Sequence, residues 1–405
     1  MTKNALSKKN FSNDNMIVGI IGAPNKGKST LFSALTSGEA KIANYPFTTI
    51  DPNKGVAYVA DECAEKRIGK KCKPRNSLCE NGMRLVPVNI IDVAGLVPGA
   101  HEGKGMGNQF LNDLSGADGF IIVVDASGRT DAYGNEGTGN PADDLEMIMS
   151  ELVEWISAII KKHMPQMSKK ESGVDALADV LTVFNVTRAS IETAIERLGL
   201  QSKRIAWSDE EIRKFSSAAI LGSKRFIVAA NKADAEGAKE NEKAIRDKAS
   251  ELGMETVMCS AALELALKKA KDSGMISYDP LMGKIEILGN PNAEQKKALD
   301  YMKGFVESGG TGVQKVLNEL VFKAMGNIVV YPVEDENKFS DHSGNVLPDA
   351  ILMERGSTAY DLAMKIHTDI GKGMLYAIDA ISKMRLAKNY VLKDGDIIKI
   401  VGTAK

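Results

Sequence analysis

The sequence predicts an α/β protein in which a parallel sheet is interrupted by a helical insert and followed by a small β-grasp module. Three observations predict it. Short apolar runs end in polar turns that open helices, the pattern of βα units in a parallel sheet. About 100 residues separate the apolar run Gly119–Val124 from the next one at Arg225, whereas a parallel crossover needs only about a dozen, so something is inserted. From Asn327 onward the pattern changes to short strands around one helix.

The polar N-terminus lacks an apolar core, so residues 1–15 are expected to form a disordered tail, neither signal nor anchor. Residues 16–140 are expected to form the first part of the nucleotide domain, 141–222 the insert, 223–326 the second part with connecting helices, and 327–405 the β-grasp module. Within the insert, Leu145, Ile148, Met149, Leu152, Val153, Ile156, Ile159 and Ile160 form an apolar stripe at helical spacing behind Pro141 and two aspartates. Residues 174–198 read as further helix, and Ser208-Asp-Glu-Glu211 is a capping box opening another.

Four strings carry the chemistry. Gly22-Ala-Pro-Asn-Lys-Gly27-Lys28-Ser29 lies between the apolar run Met16–Ile21 and the helix-like Ser29–Leu35. Its glycines let backbone N–H groups converge on phosphate oxygens at a helix N-terminus. Asn25, Lys26, Gly27, Lys28, Ser29 and Thr30 are therefore candidate phosphate contacts, with Lys28 reaching the β- and γ-phosphates and Ser29 ligating Mg²⁺. Asp92-Val-Ala-Gly95 ends the run Leu85–Ile91, placing Asp92 to hold Mg²⁺ through water and Gly95 to meet a γ-phosphate. In Tyr45-Pro-Phe-Thr-Thr49, Thr49 is the preferred switch threonine for Mg²⁺. Asn231-Lys-Ala-Asp234 follows Arg225–Ala230. A carboxylate at Asp234 accepts from the N1–H and exocyclic amine of guanine, neither of which adenine offers. Asn231 bonds the base or braces the phosphate loop, the Lys232 stem lies on the purine face, and a backbone N–H of Ser260 or Ala261 donates to O6.

Leu96 stands where many GTP hydrolases place a water-orienting Gln. Hydrolysis must then be slow or use another group. His101 and Glu102 are the nearest polar candidates, and the side-chain oxygen of Asn25 is placed to hold K⁺ against the phosphates.

The balance of 52 basic and 53 acidic residues restricts any nucleic-acid contact to a local patch. Four cysteines form no disulfide framework and fit a reducing compartment, and no apolar run approaches a membrane span. Three of the cysteines, at 63, 72 and 79, fall in a basic insertion from Asp61 to Arg84. Their spacings of nine and seven do not match a zinc knuckle and no fourth ligand is evident nearby, so the segment reads as a basic surface loop, either touching RNA or merely solvated.

Pro24-Asn25, Asn44–Asn53, Asp92–His101 and Gly105–Phe110 resemble the YchF-like branch of the Obg family, and Val346–Ala350, Lys365–Asp369 and Leu392–Asp396 resemble its TGS domain. The resemblance implies a P-loop NTPase with a Ras-like G domain, a helical insert and a TGS module. It also implies a cytoplasmic, monomeric hydrolase binding GTP or GDP with Mg²⁺ and associating with ribosomal RNA or protein, without membrane or DNA. Much of that branch has lost the Lys and Asp of the base motif and prefers ATP. This chain keeps Lys232 and Asp234, as the archaeal-type members do. GTP is therefore the expected nucleotide, and an ATP-preferring hydrolase with a stress-related or adaptor role is the alternative.

Overall fold

The structure, a computed structural model, describes residues 16–36, 53–93, 95–99, 115–167, 170, 172–184, 186–203 and 205–403. The expected tail, Thr49, His101 and Glu102 lie outside the described residues.

The first half builds a parallel sheet in chain order. Strand β1 (Ile17–Ile21) leads through the glycine loop into helix α1 (Lys28–Thr36). Next come β2 (Lys54–Glu62), the short helix α2 (Glu65–Ile68), β3 (Leu78–Glu80), β4 (Met83–Asp92) and β5 (Gly119–Asp125). After the insert follow β6 (Arg225–Asn231), α7 (Ala238–Glu251), β7 (Glu255–Met258) and α8 (Ala261–Asp272), numbered to leave α3–α6 for the insert. The sheet order is β2-β4-β1-β5-β6-β7, with β3 paired to β4. The strands β4, β1, β5, β6 and β7 run parallel, and β2 returns antiparallel along β4. The C-terminal ends of β1, β4, β5 and β6 therefore share one edge, and each carries one of the polar turns.

Strand alternation sorts the core into two layers. Ile122 and Val124 face a cluster with Leu145, Ile148, Leu152, Phe215 and Ile245. Ile121 and Val123 face the opposite one, with Leu31, Val316 and Leu320.

The insert consists of α3 (Pro141–Met167), α4 (Gly173–Leu181), α5 (Arg188–Leu198) and α6 (Asp209–Ser223). Helix α3 begins as expected, with Pro141 in its first turn and the Asn140 side chain accepting from the Ala142 N–H. The capping box at Ser208 and Glu211 is formed. The continuous helix expected over 174–198 is broken. A 3₁₀ turn covers Thr182–Phe184, and Thr187 caps α5 by accepting from the Ser190 N–H. Two β-branched residues followed by an aromatic give the backbone little reason to continue the helix past Leu181.

A hairpin of β8 (Ile276–Asp279) and β9 (Lys284–Ile287) and helices α9 (Ala293–Glu307) and α10 (Val313–Asn318) connect to the C-terminal module. That module holds β10 (Asn327–Val333), β11 (Ile351–Glu354), α11 (Ala359–Ile366), α12 (Thr368–Gly373), β12 (Met374–Asp379), β13 (Arg385–Leu386) and β14 (Ile397–Gly402), with sheet order β11-β10-β14-β12-β13. Two helices stand where one was expected, because the His367 side chain accepts from the Asp369 N–H and caps a second one.

Strand β10 is buried on both faces. Ile328 and Val330 enter the module's own core, while Val329, Tyr331 and Val333 enter the core of the nucleotide domain.

Candidate nucleotide site

The glycine loop has the backbone that its sequence requires. Gly22 and Gly27 have φ values of 153° and 93°. A Cβ on Gly27 would stand 2.2 Å from the Asn231 Nδ2, and one on Gly22 would stand 2.5 Å from the Val123 carbonyl oxygen. Both positions exclude a side chain on two counts, conformation and space.

Lys28 is buried and its Nζ donates to the Ala23 carbonyl at 2.9 Å, curling back over the loop it follows. Burial lowers its pKa, opposed by the nearby Asp92 carboxylate. Gly95 lies against the same ammonium: a Cβ there would approach Nζ to 3.1 Å. Lys28, Asp92 and Gly95 are thus neighbours, although 64 to 67 residues separate them in sequence. Ser29 is exposed at the opening turn of α1.

Lys26, expected among the phosphate contacts, turns its side chain inward. Its Nζ donates to the carbonyl and hydroxyl oxygens of Thr130, both at 2.9 Å, and forms an ion pair of 2.7 Å with Asp144 in the first turn of α3. The lysine is fully buried, so only its backbone N–H faces the loop interior. The physical reason is that Asp144, at a helix N-terminus and out of water, needs a cation.

Asn25 has a positive φ of 59°. Its amide donates to the Gly134 carbonyl at 2.8 Å. A carbonyl can only accept, so the nitrogen is the bonded end, and the side-chain oxygen makes no hydrogen bond among the described residues.

The base motif is braced from three sides. Asn231 donates to the Lys26 carbonyl at 3.0 Å and accepts from the Ala261 N–H at 3.0 Å, linking the phosphate loop to the start of α8. Lys232 donates to Asp125 at 2.7 Å, laying its stem along the site. The Ser260 hydroxyl donates to the Asp234 Oδ1 at 2.6 Å.

The O6 donor expected from Ser260 or Ala261 finds both amides engaged. The Ser260 N–H donates to the Thr311 carbonyl, and the Ala261 N–H is the one bound to Asn231. Helix α8 starts at Ala261, so that amide is an orphan donor and Asn231 satisfies it.

Sequence reasoning missed Asp125, the hub of the site. Fully buried at the end of β5, it accepts from the Ser127 hydroxyl at 2.6 Å, the Thr130 hydroxyl at 2.8 Å and Lys232. Burial works to raise its pKa, but the hydrogen bonds from Lys232, Ser127 and Thr130 outweigh it and hold the carboxyl below its usual range. Through Thr130 the chain Lys26–Thr130–Asp125–Lys232 ties the phosphate loop to the base motif. Its one sequence signal is an aspartate ending an apolar strand, too common to stand out.

Beyond Gly95, Leu96 is buried in the core beneath the insert. The Gly99 N–H donates to the Glu151 carboxylate of α3 at 2.7 Å, so the insert holds the segment expected to sense the γ-phosphate.

Residues 17–170 match the 50S ribosome-binding GTPase family, residues 229–335 the G4 motif-containing domain of the Obg-like GTPase YGR210-like family, and residues 343–402 the TGS domain. The uncharacterized GTP-binding protein MJ1332 of Methanocaldococcus jannaschii is 46% identical over 395 residues, which are 96% of this chain and 100% of that protein. The ribosome-binding ATPase YchF of Bacillus subtilis is 28% identical over 408 residues, 95% of this chain and 98% of that protein. A crystal structure of a GTP-binding protein from Pyrococcus horikoshii OT3 superposes with a TM-score of 0.76 at 35% identity, covering 96% of this chain and 100% of the other. With its phosphate loop, its complete base motif and a C-terminal TGS domain, the chain belongs to the YchF/Obg-like family of P-loop GTPases, hydrolases of nucleoside triphosphates.

Proposed function

We propose that this chain binds GTP and GDP in preference to adenine nucleotides, hydrolyses GTP slowly, and uses the bound nucleotide to time its residence on ribosomes. The observation that carries the base preference is the Asp234 carboxylate. Ser260 fixes it through Oδ1, and Oδ2 makes no hydrogen bond among the described residues. That arrangement suits a guanine edge with two donors and opposes the bare N1 acceptor of adenine. The name of the Methanocaldococcus relative, a GTP-binding protein, points the same way.

Ser29 and Asp92 are the described residues that fit Mg²⁺: oxygen donors on the same edge as the Lys28 ammonium. The ion neutralises phosphate charge when bound. Lys28 then exchanges the Ala23 carbonyl for phosphate oxygens, and Gly95 has the close approach needed to register whether the terminal phosphate is present. Thr49 remains the proposed switch ligand and His101 a candidate for orienting water.

A ribosomal partner is supported by the name of the Bacillus relative and by the surface of the TGS module. Ile381 and Met384 are 47% and 64% exposed there, beside Lys383 and Arg385. A titration of GTP, GDP and ATP, followed by co-sedimentation of the full chain with ribosomal subunits in each state, tests the reading. Equal affinity for ATP and GTP returns the ATPase alternative; sedimentation independent of nucleotide removes the timing role.

Asn25 gives a narrower expectation. With Nδ2 bound to Gly134, its oxygen is free to hold K⁺ against the phosphates, so hydrolysis should run faster in KCl than in NaCl. Asn25→Ala should erase that difference while keeping Mg²⁺-dependent binding. Equal rates in the two salts for the unaltered protein would remove the cation and leave His101 as the candidate.

A further inference from the structure

The basic loop keeps Lys66, Lys70, Lys71 and Lys73 exposed, but its cysteines do not share that surface. It folds into a compact knob whose side chains converge. Cys63 follows β2, Glu65 opens α2, Cys72 lies in the return and Cys79 sits in β3. The three sulfurs and a carboxylate oxygen all lie within 4.8 Å of one another. The fourth donor, judged absent from the spacing, is Glu65, two residues after the first cysteine.

From this cluster we propose that Cys63, Glu65, Cys72 and Cys79 bind one structural Zn²⁺, which clamps residues 63–79 against the TGS module. The donors lie close enough together for one tetrahedral ion after small side-chain adjustments. Cys63 and Cys72 have their sulfurs 3.8 Å apart; two thiolates bound at about 2.3 Å with tetrahedral angles stand about 3.8 Å apart. A disulfide would require about 2.05 Å, and all four cysteines are free thiols. Three sulfurs and one carboxylate complete the coordination without an open position, the pattern of a structural rather than a catalytic zinc. An iron–sulfur cluster would ask for four thiolates.

Backbone features organise the donors in advance. Gly69 ends α2 in the left-handed region with φ 62°, reversing the chain so that Cys72 comes back to Cys63. The Cys72 N–H then donates to the Glu65 Oε2 at 2.8 Å, orienting the carboxylate in the way that outer hydrogen bonds orient metal ligands.

An independent sign is the buried cation beside the cluster. Arg84, opposite Cys79 in the β3–β4 register, is fully buried. Its Nη2 donates to the Leu347 carbonyl at 2.8 Å and its guanidinium lies 5.5 Å from the Tyr331 ring centre. Nε and Nη1 have no hydrogen-bond partner among the described residues. A buried, partly unsatisfied cation is costly in isolation. Three thiolates and a carboxylate around a dication carry a surplus of two negative charges, which adds to the nearby Asp349 carboxylate in compensating Arg84.

The site also has a task. Between α2 and β3 the chain has no regular structure, yet it carries the docking contacts to the C-terminal module. The N–H groups of Lys73 and Arg75 donate to the carbonyls of Val346 and Pro348 at 2.8 and 2.7 Å. Asn76 exchanges two hydrogen bonds with the Ala350 backbone, and Arg75 pairs with Asp349 at 2.5 Å. A metal that fixes both ends of this segment fixes the interface.

Zinc content and affinity of the full-length protein test the proposal. Elemental mass spectrometry of protein purified without chelator should find one zinc per chain. Metal-free protein titrated with Co²⁺ should develop thiolate charge-transfer absorption and the intense visible bands of a tetrahedral ion. Glu65→Ala should weaken Zn²⁺ binding by more than about 100-fold, beyond the usual loss for an outer-shell partner, and Cys72→Ser should lower the charge-transfer absorption in proportion to the lost thiolate and weaken Co²⁺ binding. If Cys72→Ser does not fold, Glu65→Gln, which keeps the shape and removes the charge, should still bind Zn²⁺ more weakly than the unaltered chain. Amide exchange at residues 346–350 should rise when zinc is chelated. The proposal falls if equimolar Zn²⁺ does not bind, if Co²⁺ remains octahedral, or if intact mass shows a Cys63–Cys72 disulfide in protein kept under reductant.

Discussion

Asp144→Ala is expected to destabilise the nucleotide domain by about 3 kcal/mol, the order found when one partner of a buried ion pair is removed. The Lys26 and Asp144 side chains are 0% and 4% exposed and 2.7 Å apart. Without Asp144 the lysine keeps Thr130 but loses its countercharge, and water cannot reach it. Asp144 itself sits at a cost, since burial raises its pKa and Lys26 only partly offsets this. Replacing both residues by apolar side chains, Lys26→Met with Asp144→Leu, should therefore recover most of the lost stability. The midpoint of urea unfolding, followed by far-UV circular dichroism, measures both variants. A loss below about 1 kcal/mol for the single variant, the range of an exposed pair, would show that the ion pair contributes little.

The second large effect is expected at the base. Asp234→Asn should weaken GTP and GDP by about a thousand-fold and raise affinity for xanthosine nucleotides, because the amide no longer accepts from both guanine donors and offers a donor of its own. Ser260 holds the Asp234 carboxylate at 2.6 Å, so the substituted amide is kept in the same place and the change is one of donor pattern rather than position. Fluorescence titration with labelled guanine, xanthine and adenine nucleotides reads the result. An unchanged GTP-to-ATP ratio would mean that Asp234 does not face the base.

Much of the site was legible because its signals are local. An apolar strand, a glycine loop and Lys-Ser at a helix start occupy a dozen or so consecutive residues, and strand and helix periods place them on one sheet edge. The features that escaped join distant segments. Asp125 meets Lys232 across 107 residues, and Lys26 meets Thr130 across 104; neither contact has a spacing rule. Glu65 escaped for the opposite reason. It is close in sequence to Cys63, but no zinc pattern uses that interval, and only the turn at Gly69 shows that it points the same way. The protein partners of the Ser260 and Ala261 amides were not legible, because a helix start advertises free donors without saying which neighbour already uses them. The strand beginning at Asn327 was visible in the sequence pattern, whereas its second buried face was not. Truncation near residue 325 is accordingly a poor test of partner recruitment, since it would strip Val329, Tyr331 and Leu347 from the core of the nucleotide domain.

That shared core has a consequence for how the protein is made. Val18, Ile20, Val86 and Val88 belong to the same apolar cluster as Val329, Tyr331, Val333 and Ile397. Synthesis runs from the N-terminus, and domains ordinarily fold as they emerge. Here the layer opened by β1 is closed by β10 and β14, so the nascent nucleotide domain carries an uncovered apolar face until the C-terminal module has left the ribosome. Completion of the C-terminal module, rather than of the nucleotide domain, is the event that closes this layer.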